Sequence, residues 1–165
     1  MVRLCVQYLL GLSKTKNELL WKAKAQAMVT HNTEIGIRSS CAVALAAHFG
    51  LYSHGKLSEL ENFLEAESLS GWNYQWCGEV SVKAFDTVSA AFSALLSCRN
   101  IHDLLIQCIN LGGDTDSVAA IAVGLATCFD EYEKSLPVHL VAALDEPTYG
   151  LEYLEFLDSK LQLSN

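Results

Sequence analysis

The stretch "INLGGDTDSVAAIAVGLA", residues 109–126, sets two glycines before two aspartates one residue apart, then a hydroxyl, then small apolar side chains. Gly112 and Gly113 suit a sharp reversal, because glycine adopts positive φ without steric cost. Val118, Ile121, Ala122 and Leu125 then recur at helical spacing. One helix therefore ends at the glycines and a second begins at the aspartates, with Asp114, Asp116 and Ser117 at its mouth. Two readings stay open there. An aspartate cap needs one oxygen, and a helix N-terminus stabilises such a carboxylate by roughly 0.3–1 kcal/mol. A hard-cation site uses all three, since Mg²⁺ and Mn²⁺ prefer carboxylate, hydroxyl and water oxygens. The spaced acidic positions and terminal Glu of an EF-hand are missing, and no Lys follows the glycines as a P-loop requires.

The flanking sequence is helical throughout. Ile101, Leu104, Leu105, Cys108 and Ile109 follow one apolar face, and Phe85, Val88, Phe92, Leu95 and Leu96 another. Thr15 with Glu18, and Ser58 with Glu61, have capping-box spacing, and Asn32 or Thr33 can cap a helix through "CAVALAAHF" that stops at Gly50. Shorter helices are expected over 4–12, after Ser135 and Pro137, and from about Leu151 to Leu163. "SGWNYQWCGE", residues 70–79, is the one long irregular segment; its aromatic rings can line a site or cover the core. No hairpin signal, internal repeat or linker interrupts the chain. The expectation is a single all-α domain over residues 1–165.

Composition agrees. The 165 residues are 51% hydrophobic and 18% charged, enough to bury a substantial core. A formal net charge of -8 gives no attraction to a phosphate backbone, so nucleic-acid binding is not expected. No run approaches the roughly 18 apolar residues of a membrane span, and the N-terminus lacks a convincing signal-peptide cleavage site. Cys5, Cys41, Cys77, Cys98, Cys108 and Cys128 form no C-x-x-C pair. They read as reduced thiols of a cytoplasmic or nuclear protein.

The motif "NLGGDTDSVAAIAVGLA", with its run-up "FDTVSAAFSALLSCRNIHDLLIQCI" and the earlier "VTHNTEIGIRSSCAVALAAHF", resembles the ADP-ribosylglycohydrolase family. The likeness runs from about Met28 to Gly124. It implies an all-α fold with two divalent ions, Mg²⁺ or Mn²⁺, in a cleft that takes ADP-ribose or an ADP-ribosylated protein. Carried over by position, Asp114 and Asp116 are metal-ligand carboxylates and Ser117 a hydroxyl ligand where the family usually has threonine. His31, Gly112 and Gly113 fall beside the ADP-ribose. The implied reaction is hydrolysis of an N- or O-glycosidic bond through a cationic, oxocarbenium-like state.

The chain also departs from the pattern. Family members are longer and carry further acidic metal ligands and a catalytic acid nearer their N-terminus, whereas the first aspartate here is Asp86. The expectations are then a site completed by a second copy or a complementing chain, or a non-catalytic truncated relative that binds or serves as structure. Glu34 and Glu79 are spare acids without a motif, Cys77 with His31 or His48 is an unoriented pair, and Trp72, Tyr74 and Trp76 can stack an adenine.

Overall fold

The computed structural model describes residues 15–142 and 148–162; the helix expected over 4–12 lies outside them. These residues group into two compact units, divided after Lys134. Among them there is no strand, only the isolated bridges Val80–Gly113 and Asn100–Glu133. The fold is all-α.

In the first unit, α1 (Lys16–Thr30) and α2 (Glu34–Ser53) begin where the caps predict. Thr15 Oγ1 accepts from the Glu18 N–H at 3.3 Å, and Thr33 Oγ1 from the Gly36 N–H at 3.1 Å. α2 runs past Gly50 to a left-handed cap at His54. Gly50 is a contact residue instead of a stop: a Cβ there would meet the Cys128 carbonyl oxygen at 2.7 Å. α2 is the central helix, packing on α1 and on three helices that follow, with Cys41 to Ala47 all buried. Its 18-residue window has a mean hydropathy of 1.2, enough by length and composition to cross a bilayer, yet 56% of that window is buried in the protein. Sequence reading missed this because Gly36, Arg38, Ser39, Ser40 and His48 break the apolar run, while the remaining residues keep the window average high.

A single 3₁₀ turn (Leu57–Glu59) leads into α3 (Leu60–Ala66). The expected box at Ser58 and Glu61 is displaced: Glu59 accepts from the Lys56 N–H at 3.3 Å. α4 (Ala84–Ser97), α5 (Ile101–Leu111) and α6 (Thr115–Ala126) form the remaining wall. Val88, Phe92, Leu95, Ile101, Leu104, Cys108, Val118, Ala122 and Leu125 are buried as their periodicity requires. Ile109, on the same stripe of α5, is 63% exposed, two residues before the helix ends. After α6, Phe129 and Tyr132 fold back into the core, where the Tyr132 hydroxyl donates to the Leu95 carbonyl at 2.7 Å.

The second unit contains α7 (Val138–Ala142), opened by Pro137, and α8 (Leu151–Gln162). Tyr149, Tyr153 and Phe156 form a chain of ring contacts along α8. Cys41, Cys77, Cys98 and Cys108 are free thiols; burial pushes the Cys108 thiol up to about 11 and raises that of Cys41.

Candidate functional site

The glycine-aspartate turn is held from below by the residue before Ser81. The Val80 N–H donates to the Gly112 carbonyl at 3.1 Å, and the Asp114 N–H donates to the Val80 carbonyl at 3.0 Å. Gly112 and Gly113 both have positive φ, at 77° and 73°. A Cβ on Gly113 would lie 2.0 Å from the Val80 carbonyl oxygen, so this position requires glycine twice over, by dihedral and by contact.

Asp114 occupies the N-cap of α6, yet its side chain makes no capping bond. Its carboxylate instead accepts from the Thr87 hydroxyl on α4 at 3.3 Å. Thr87 is buried and also reaches the Lys83 carbonyl at 3.2 Å, so the carboxylate is aimed by a neighbouring helix. The bland reading of Asp114 as a side-chain cap is therefore not what the geometry shows. Asp116 is exposed and Ser117 half-buried on the first turn of α6.

These three residues line a cavity of about 550 Å³ between α1, α2, α4 and α6. His31 lines it too, placed by the end of α1: its N–H donates to the Ala27 carbonyl at 2.7 Å, and its Nδ1 lies 2.8 Å from the Thr30 hydroxyl. Gly36 allows that corner to close, since a Cβ there would meet the His31 carbonyl oxygen at 2.6 Å. The fold thus brings His31 to Asp114, Asp116 and Ser117 across more than eighty residues of sequence. Gly112 and Gly113 are not in the lining; they shape the turn behind it.

The remaining candidates fall elsewhere. Trp72 is buried in the core, where its ring lies against Phe85 and edge-on to Phe92, and its Nε1 donates to the Leu69 carbonyl at 2.6 Å. Tyr74 stacks on Phe92, and burial with Glu61 and Glu65 nearby pushes its hydroxyl up to about 12. Trp76 is half-buried, and none of the three lines the cavity. Glu34, Glu79 and Cys77 are exposed and outside it. Asp86 accepts from the Ser81 hydroxyl at 2.6 Å. Sequence reading missed Thr87, Ser39, Ser40 and Gln26 in the site. Isolated polar residues on helices carry no motif, and only the packing of four helices turns them to one space.

An ADP-ribosylglycohydrolase family model matches residues 3–164. The chain belongs to the ADP-ribosylglycohydrolase family, and the match reaches well beyond the 28–124 stretch whose motifs carry the resemblance. It is similar to the ADP-ribosylarginine hydrolase Tri1 of Pseudomonas putida, 30% identical over 117 residues, covering 64% of this chain and 31% of that protein. It is also similar to an uncharacterized protein of Archaeoglobus fulgidus, 26% identical over 117 residues, covering 60% of this chain and 38% of that protein. The chain spans about a third of the length of these curated relatives. No solved structure matches it.

The family is generally metal-dependent. Among the described residues no three His, Cys, Asp or Glu side chains come together as a metal cluster. The donors that line the cavity are nonetheless the right kind for a hard cation: two carboxylates and the Ser117 hydroxyl, with Asp114 free of the cap bond that would use its lone pairs. In donor type alone they match part of such an ion's coordination shell.

Proposed function

We propose that this chain forms one wall of a metal-dependent glycohydrolase site, cleaving an N- or O-glycosidic bond to ADP-ribose. The observation that carries this reading is the shared cavity: the family's aspartates and a histidine from a distant helix end meet in one space. Asp114, Asp116 and Ser117 would hold Mg²⁺ or Mn²⁺, and His31 would hydrogen-bond the ligand. Bound there, a divalent ion supplies Lewis acidity toward water and sugar hydroxyls. The carboxylates also favour the positive charge that develops on the sugar as the glycosidic bond breaks. Thr87 keeps Asp114 oriented, and the apolar wall of Val43, Val88 and Ile121 limits water around the reacting centre.

Among the described residues the lining supplies two carboxylates and no third, which favours a site completed by a complementing chain or a second copy. The same shortage supports a second reading, a non-catalytic relative that binds ADP-ribose or an ADP-ribosylated protein. A cytoplasmic location is consistent with the free thiols.

A Mn²⁺ titration by calorimetry, with Asp116→Ala as control, tests the metal-binding wall. Micromolar binding, about -8 kcal/mol, that disappears in the variant is the expected outcome. Millimolar binding insensitive to the substitution would refute it. An ADP-ribose release assay on the Mn²⁺-loaded chain then separates the two readings.

A further inference from the structure

Three buried polar side-chain atoms among the described residues have no hydrogen-bond partner: Ser39 Oγ, His48 Nδ1 and Tyr74 Oη. Of these residues only Ser39 lines the cavity that holds Asp114, Asp116 and Ser117. It is 4% exposed. A buried hydroxyl without a partner costs free energy, and helical serines ordinarily avoid this by bonding a nearby carbonyl. Ser97 does so, donating to the Ser93 carbonyl at 2.7 Å. Even the adjacent Ser40 reaches the Ala23 carbonyl at 3.4 Å. Ser39 is the exception.

Its surroundings say what could satisfy it. Gly36, Ser39, Ser40, Val43 and Ala44 make one stripe of α2 at the i, i+3, i+4, i+7, i+8 spacing, and this stripe is a wall of the cavity. Gly36, Val43 and Ala44 offer no side-chain polar group and the Ser40 hydroxyl is turned to the Ala23 carbonyl, so Ser39 has no partner beside it on its own wall. Across the space stand Asp116 and Ser117 at the mouth of α6. The Ser39 oxygen has no solvent contact where it rests, although the residue lines the cavity, and a single side-chain torsion about Cα–Cβ sets where its hydroxyl points. A hydroxyl both donates and accepts, which suits a sugar hydroxyl better than a phosphate, which only accepts.

We infer that Ser39 is a ligand-contacting residue of this pocket, its unpartnered hydroxyl turning to bond a sugar hydroxyl of bound ADP-ribose. This rests on the glycohydrolase reading above. The test is a calorimetric titration of ADP-ribose in the presence of Mn²⁺ with the wild-type chain, Ser39→Ala and Asp116→Ala, with melting temperatures measured beside it. Ser39→Ala is expected to bind about tenfold more weakly, about 1.4 kcal/mol. Its melting temperature should equal or exceed that of the wild type, because alanine favours the helix and no orphaned hydroxyl remains. Unchanged affinity in Ser39→Ala, with Asp116→Ala impaired, overturns the role of Ser39 and leaves the metal-site reading standing. A fall in melting temperature overturns it as well, since the hydroxyl would then have a structural partner. Absence of binding by the wild type overturns both.

Discussion

Two irregular segments of this molecule invite the same functional guess and have opposite fates. The aromatic stretch 67–83 and the turn 112–114 both interrupt the helices, and they touch each other at Val80 and Gly113. The first places Trp72 in the core, where Phe85 and Phe92 flank its ring and the Arg38 guanidinium sits 5.6 Å from the ring centre. The second, with the first turn of α6 that follows it, keeps two carboxylates at a cavity wall. The difference follows from desolvation. Aromatic surface gains by leaving water, whereas an unpaired carboxylate cannot be buried and stays where water or a cation can reach it. A loop rich in rings is therefore as good a signal for a core lid as for a binding site, and here the lid reading holds.

The largest effect should come from the core side of the comparison. Trp72→Ala removes a ring buried between two others, and chemical denaturation should show a loss of about 3–5 kcal/mol. A loss under 1 kcal/mol would mean that the segment is a surface loop after all. Next comes the seam between the two segments. Gly113→Ala forces a side chain into positive φ and against the Val80 carbonyl, at a cost of about 1–3 kcal/mol for the backbone strain. The same variant should also lose Mn²⁺ affinity, because the turn that presents Asp114 must shift; intact affinity would show that the aspartates are placed by α6 alone. The smallest effect belongs to the site. Thr87→Val keeps the shape of the side chain but removes the donor to Asp114, which should cost stability by about 0.5–1.5 kcal/mol. Its Mn²⁺ affinity should fall several-fold by calorimetry, and unchanged affinity would show that Thr87 does not orient the carboxylate.

Helix periodicity and capping were legible residue by residue. Thr15 and Thr33 cap as read, and Val118, Ala122 and Leu125 are buried as their spacing demands. Those signals are local, encoded within one or two turns. Gly50 misled because a glycine required by contact with Cys128 looks the same in sequence as one required by a helix end. The Ser58–Glu61 pair misled because Leu57 and Leu60 are buried and set the helix start by burial, overriding the box spacing.

The sequence by itself determined the all-α class, the glycine turn and the family motif at Asp114, Asp116 and Ser117, because each depends on residues a few positions apart. Only the tertiary structure decided that Asp114 answers to Thr87 and not to its own helix, and that His31 and Ser39 share its cavity. Only it showed that Trp72 belongs to the core. Those relations join residues tens of positions apart, and the packing of one helix against another, which no local spacing encodes, brings them within reach.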